Sequence, residues 1–143
     1  MMHSMRCRRR WLAAVSIAIA IGCGEVSNQP TTEPVSGKVS YKGQPVTKGT
    51  VTFQSADNRI ATGQIQPDGT YSLGTFAERD GAIAGRHKVM IIANDGDTNL
   101  MPGSSPGYKP PKDLVPQKYQ KTETSGLEAT VAKGKNDIPF DLQ

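Results

Sequence analysis

The segment VSGKVSYKGQPV, residues 35–46, decides the fold of this chain. Val35, Gly37, Val39 and Tyr41 alternate with serines and lysines, so small or apolar residues and polar residues repeat with a period of two. This alternation is typical of a β-strand with one buried and one solvated face. A glycine and a proline then end the strand.

Four more segments before residue 94 show strand features. GTVTFQS at 49–55 alternates in the same way, and RHKVMIIA at 86–93 is apolar enough to predict a buried central strand. Segments 59–66 and 70–75 flank Pro67-Asp68-Gly69, a sequence suited to a tight turn because proline presets φ and glycine accepts a positive φ. These two segments are therefore predicted to form a hairpin.

The C-terminal part returns to strand patterning. Segments 127–132 and 138–142 alternate, and the linking residues 133–137 predict a closing hairpin. Short strands separated by turns, with no convincing helix, indicate an all-β fold. We expect a seven-stranded antiparallel β-sandwich of the immunoglobulin-like or prealbumin-like kind.

Residues 94–118 interrupt this regularity because they contain five prolines. A long segment of this kind is either a strap over a sheet edge or a recognition loop. In the second case Tyr108, Lys109, Lys112 and Tyr119 would form an amphipathic contact surface.

The same segment begins with oxygen donors at alternate positions. Asp95, Asp97 and Asn99 resemble the start of a calcium loop, since hard cations prefer oxygen ligands. Leu100 and Pro106 stand where such a loop needs glycine and a bidentate glutamate. A polar turn without metal accounts for this composition equally well.

The chain is poor in catalytic side chains. His87 is the only histidine after residue 22, and its place in an apolar strand indicates a partly buried ring rather than a proton-transfer group. No spacing suggests a nucleophile activated by a base. We therefore predict a protein that is not an enzyme and that carries no cofactor.

The N-terminal segment has the features of an export signal. Residues 1–22 contain four arginines, no acid and a short apolar run, which is too short to span a bilayer. Cys23 follows a small residue, as in the lipobox of bacterial lipoproteins, and this resemblance implies lipidation of Cys23 and removal of residues 1–22. The alternative is ordinary cleavage at the A-x-A site of residues 18–20. The polar residues 23–34 would form a tether.

The charge balance depends on the signal segment. Without its four arginines, the seventeen basic residues fall to thirteen and equal the thirteen acidic ones. The sequence pI of about 9.2 therefore belongs to the signal segment. Nucleic-acid binding requires clustered cations, whereas the mature chain has no net charge and no basic patch. We therefore predict that the protein has no nucleic-acid partner.

The order of motifs over residues 35–143 also carries a resemblance. The segment 35–46, followed by GTVTF at 49–53, DGTY at 68–71 and GRHKVMI at 85–91, resembles transthyretin-like, carboxypeptidase regulatory-like domains. Short exported lipoproteins of planctomycete bacteria show this pattern. The resemblance implies a seven-stranded prealbumin-like sandwich that commonly serves as an accessory or surface-binding domain without chemistry of its own.

These features predict a lipid-anchored module. The lipid would attach the module to a membrane, and the sandwich would contact an envelope protein or polysaccharide. Its location would be the outer membrane, the periplasm or the cell surface. Two alternatives remain: a carbohydrate- or calcium-binding module that uses the 95–99 turn, and a structural spacer without a specific ligand.

Overall fold

A computed structural model describes residues 29–96 and 110–143 of the chain. The predictions for residues 1–28 and 97–109 lie outside these ranges. The described part is an all-β sandwich with one short 3-10 helix at Gln117–Gln120. Its strands are β1 (Thr32–Glu33), β2 (Val35–Tyr41), β3 (Gln44–Pro45), β4 (Gly49–Ser55), β5 (Ile60–Ile65), β6 (Thr70–Ser72), β7 (Ala82–Ile83), β8 (Gly85–Ile92), β9 (Leu127–Val131), β10 (Asn136–Asp137) and β11 (Phe140–Leu142).

The first sheet contains four antiparallel strands in the order β5, β4, β8, β9. Phe53 of β4 pairs with Ala61 of β5 on one side and with Val89 of β8 on the other. All three are buried, because apolar residues at every second position fall on the inner face. The predicted central strand at 86–93 is confirmed, since β8 lies between β4 and β9.

The second sheet is built around β2. β6 and β3 pair with β2 antiparallel, whereas β10 and β11 run parallel to it. Gly37 permits this arrangement, because a Cβ at that position would lie 2.1 Å from the carbonyl oxygen of Ile138, between β10 and β11. A separate two-stranded ladder joins β1 to β7.

The chain turns a corner between the two sheets at residues 66–69. The Gly69 N–H donates to the Gln66 carbonyl over 2.8 Å, and Gly69 has a φ of 85°. The predicted turn at Pro67-Asp68-Gly69 is thus confirmed. The strands that it joins are not a simple hairpin, however, because β5 pairs mainly with β4 and β6 pairs with β2.

The core lies between the sheets and is centred on three aromatic rings. Phe53 of the first sheet lies 6.5 Å from Tyr71 and 5.9 Å from Phe140 of the second, measured between ring centroids. The Tyr71 and Phe140 rings are 6.2 Å apart. Such pairs contribute about 0.5–1.5 kcal/mol each beyond their area burial. The cluster therefore fastens one sheet to the other.

Three sequence predictions about the architecture need correction. The described residues form eleven strands where the sequence predicts seven, and β10 and β11 pair with β2 in parallel rather than antiparallel orientation. The predicted C-terminal hairpin is wrong, because β9 pairs with β8 in the first sheet while β10 and β11 pair with β2 in the second. A short strand, β1, precedes β2 and pairs with β7.

The Pro-rich segment 94–118 is also more ordered at its ends than expected. Asn94 forms an isolated bridge with Asp113, and the Leu114 N–H donates to the Ala93 carbonyl over 2.8 Å. Val115 is buried in the core. The described end of the segment, residues 110–118, is therefore attached to the residues that follow β8. The choice between a strap and a recognition loop stays a prediction, because residues 97–109 lie outside the described ranges.

Candidate functional site

A groove of about 1080 Å³ lies at the corner where the chain passes from the first sheet to the second. We call it the corner groove. It is lined by residues 36–38 of β2, 62–64 and 66 at β5, 70–72 of β6, the loop 74–79, and Asp137. Its size suits a binding site, since ligand pockets measure about 300–1,000 Å³.

Two sets of backbone hydrogen bonds join the chain before and after the turn within the lining of the corner groove. Thr62 and Gly74 exchange two backbone hydrogen bonds of 2.9 and 2.8 Å, and the Gln66 N–H donates to the Thr70 carbonyl over 2.8 Å. The outward residues of β5 and β6 line the groove, because alternate residues of a strand face opposite sides.

Most side chains of the corner groove are polar and uncharged. Within the described ranges, the side chains of Ser36, Thr62, Gln64, Gln66 and Ser72 form no hydrogen bond with another protein group. Hydroxyl and amide groups can donate and accept, so this lining is able to bind a ligand that does both.

The charges of the groove are balanced. Lys38 and Arg79 supply two cations, and Glu78 and Asp137 supply two anions. The site therefore has no formal net charge that would select a strongly anionic or cationic ligand.

One wall of the groove is a loop held by a single carboxylate. Asp80 accepts backbone N–H bonds from Thr75, Phe76 and Ala77, over 2.6, 3.0 and 3.1 Å. Desolvation by itself would raise the pKa of Asp80, but these bonds outweigh it and place the pKa below its ordinary value. The loop is thus fixed, and it presents the Phe76 ring, which is 39% exposed.

Of the four predicted contact residues of the Pro-rich segment, the structure describes Lys112 and Tyr119. Lys112 is exposed, as expected, but Tyr119 is 6% exposed and belongs to the core. Its hydroxyl donates to the Gln143 carbonyl over 3.1 Å, which ties the 3-10 helix to the residue after β11. Tyr108 and Lys109 lie outside the described residues.

Asp95 serves a structural purpose in the described part of the chain. Its Oδ1 accepts the Lys112 N–H over 2.6 Å, which ties the two ends of the Pro-rich segment together. Asp97 and Asn99 lie outside the described residues, and the described ones contain no group of three metal-ligating side chains. Calcium binding at the 95–99 turn therefore stays a prediction.

His87 is an interior residue. It is 4% exposed, its ring lies 5.7 Å from the Phe53 ring, and its Nε2 lies 2.7 Å from the Ile83 carbonyl oxygen. Nε2 therefore donates to this carbonyl, while Nδ1 is buried and has no partner within residues 29–96 and 110–143. This environment fits the buried ring that the sequence indicates.

A second, smaller depression of about 540 Å³ lies beside β8 and β9. Its lining includes the ion pair between Arg86 and Glu128, whose side chains are 74% and 55% exposed. Such an exposed pair contributes little to stability or specificity because water screens it. The corner groove is the better candidate site.

The sequence analysis did not identify the corner groove. On β5 and β6, the polar residues of the groove alternate with buried residues and point outward. In the sequence, such residues cannot be distinguished from an ordinary solvated strand face. The Pro67-Asp68-Gly69 turn was the available signal, because it brings the outward faces of both strands together. What the sequence could not show is that these strands belong to different sheets.

Comparisons with known proteins give little further identification. No protein family matches the sequence, and no curated protein does. One similar solved structure is a DUF3823 family protein from Parabacteroides merdae ATCC 43184, at 13% sequence identity and a TM-score of 0.40. The match covers 79% of this chain and 46% of that one, so this chain spans less than half its length. The resemblance to transthyretin-like domains remains a prediction from the motifs.

None of the helical structure in residues 29–96 and 110–143 is long and apolar enough to cross a membrane.

Proposed function

We propose that this chain is an exported lipoprotein whose β-sandwich is held at a membrane by acyl chains on Cys23. The sandwich binds another component of the cell envelope and performs no catalysis. The resemblance to planctomycete lipoproteins with transthyretin-like domains supports this proposal. The observation that carries it is the cysteine at the end of an arginine-rich, apolar export signal.

The anchor and the domain are compatible in length. Eight residues, 24–31, separate Cys23 from β1. A fully extended segment of this length reaches about 27 Å. Two acyl chains suffice for stable membrane attachment, whereas one gives only reversible binding. The sandwich would therefore stand close to the membrane surface and meet components within that distance.

The corner groove supports the binding part of the proposal. Its unpartnered hydroxyl and amide groups, its balanced charges and its exposed aromatic ring suit recognition of a ligand. We therefore assign the contact with the envelope to the groove.

The anchor is tested by intact-mass analysis of the full chain produced in a bacterium, together with fractionation of the cells. We expect a mature protein that begins at Cys23, carries the mass of acyl chains and remains with the membranes. Cys23→Ser should abolish the added mass and release the protein from the membrane fraction.

Cys7→Ser is the matched control, because Cys7 lies in the segment predicted to be removed. It should leave the mature mass and the fractionation unchanged. A wild-type chain that begins at Ile21 without lipid would contradict the anchor and favour cleavage at residues 18–20.

A further inference from the structure

We propose that the corner groove binds a neutral glycan chain. This inference rests on the proposed function, because it names the envelope component that the sandwich contacts. The observation behind it is the juxtaposition of unpartnered hydroxyl and amide side chains with one exposed aromatic ring along an open groove.

The hydrogen-bonding groups of the groove match those of a sugar. A hexose carries hydroxyls that donate and accept at the same time. Gln64 and Gln66 offer a carbonyl oxygen and an NH₂ group each, and Ser72 and Thr62 offer hydroxyls that can rotate to either role. Within the described ranges, none of these groups is bonded to the protein, so a ligand does not have to displace an internal hydrogen bond.

The aromatic ring is already in place for the apolar face of a sugar. Phe76 stands on the loop that Asp80 fixes through three backbone bonds. A fourth bond, from the Thr75 hydroxyl to the Gly81 carbonyl over 2.7 Å, closes the same loop. Because the loop is ordered in advance, little conformational entropy has to be lost on binding.

The charge and dimensions of the groove select the class of glycan. Two cations balance two anions, which disfavours a polyanionic polysaccharide. A volume of about 1080 Å³ exceeds that of a single sugar and suits several consecutive residues of a chain.

The backbone beneath the groove argues against an extended peptide. A peptide gains most of its affinity by adding a strand to a free sheet edge. Ser36 of β2 pairs with Asp137 on one side and with Ser72 on the other, so β2 has no free edge at this point. β5 is paired with β4 and is bonded to Gly74 and Thr70 at its outer edge. Side chains rather than backbone groups face the ligand.

The inference is tested with the full-length protein, purified in a detergent that contains no sugar. A neutral-glycan array identifies binders, and calorimetry then uses hexasaccharides of β-1,4-linked glucose, mannose or xylose and of α-1,4-linked glucose. Phe76→Ala should weaken binding about tenfold, and Gln64→Ala roughly threefold to tenfold. Both residues are exposed, so the variants should fold, which circular dichroism verifies.

Gln117→Ala and Thr130→Ala are the matched controls, because both residues are exposed and lie outside the corner groove. They should leave binding unchanged. Glycan binding that is insensitive to Phe76→Ala and Gln64→Ala would overturn the assignment to the groove. An array without signal, or a preference for polygalacturonate or for peptides, would overturn the neutral glycan.

Binding to isolated cell envelopes, measured in parallel, separates this inference from the proposed function. Envelope binding without glycan binding overturns the glycan inference alone. Absence of envelope binding overturns both.

Discussion

Tyr71 shows how one side chain joins distant parts of the sequence. It is 2% exposed, and its hydroxyl donates to the Ile138 carbonyl over 2.6 Å. Burial, with a smaller contribution from the Asp137 carboxylate, raises the pKa of Tyr71 far above its ordinary value. The hydroxyl thus keeps its proton and remains a donor at every physiological pH.

Tyr71→Phe should therefore destabilise the fold by about 1–3 kcal/mol, because it leaves a carbonyl without its donor. Urea unfolding measures this difference. Tyr41→Phe is the control, since Tyr41 is half-buried and its hydroxyl has no partner in the described residues; it should cost less than about 0.5 kcal/mol. Equal effects of the two changes would contradict the role of the Tyr71 bond.

Asp80 gives the fold a dependence on pH. The folded-state pKa is lowered, so the folded chain holds this proton less tightly than the unfolded chain, where the pKa is about 3.9. The stabilisation is therefore fully present above about pH 4 and is lost as the pH falls through the lower folded-state pKa.

We expect Asp80→Asn to destabilise the protein at pH 7 and to lose this effect progressively as the pH falls below about 4, because protonation then removes the wild-type charge as well. Urea unfolding at pH 7, 4 and 3 measures the difference. Asp57→Asn, at an exposed position that accepts no hydrogen bond in the described residues, should change stability less at pH 7. A pH-independent effect of Asp80→Asn would show that the charge does not hold the loop.

At the scale of elements, the last strand is the one that closes the second sheet. β11 runs parallel to β2, and its register places Phe140 beside Val39 and Leu142 beside Tyr41. The Lys42 N–H donates to the Leu142 carbonyl over 2.9 Å. Parallel neighbours require a long connection, and here nearly the whole domain provides it.

Leu142→Ala should accordingly destabilise the domain by about 2–5 kcal/mol, because it leaves a cavity at a residue that is 1% exposed. Thermal and urea unfolding measure the loss. Asp141→Ala, on the outer face of the same strand, should stay within about 0.5 kcal/mol of wild type, despite its bond to Ser40. A small effect at Leu142 would indicate that β11 is dispensable.

At the scale of the whole molecule, the two sheets share one core. The ring cluster of Phe53, Tyr71 and Phe140 takes one ring from the first sheet and two from the second. Tyr119 of the 3-10 helix adds a bond to Gln143 at the end of the second sheet. Without its partner, each sheet would expose its apolar inner face to water.

We therefore expect a single cooperative unfolding transition. Far-ultraviolet circular dichroism reports the strands, and tyrosine fluorescence reports the packing around Tyr71 and Tyr119. The two midpoints in urea should coincide, as two-state behaviour requires. Separate midpoints would mean that one sheet persists when the other has unfolded.

The corner groove shows which structural features the local sequence pattern does not determine. Alternation along β5 and β6 indicates correctly that Thr62, Gln64 and Ser72 face outward. It does not indicate that these three residues line one groove, because that depends on the corner between the sheets. For the same reason Tyr119 looked like a contact residue: a tyrosine among prolines and lysines gives no sign of the core that receives it.

The sequence by itself determined the longer strands, the turn at Pro67-Asp68-Gly69 and the neutral charge of residues 23–143, because alternation, turn chemistry and composition are properties of neighbouring or summed residues. The tertiary structure decided which strands are neighbours. Val39 pairs with Phe140 across about a hundred residues, and that choice depends on packing of the common core rather than on any local signal. These long-range pairings form the corner groove, so only the tertiary structure reveals it.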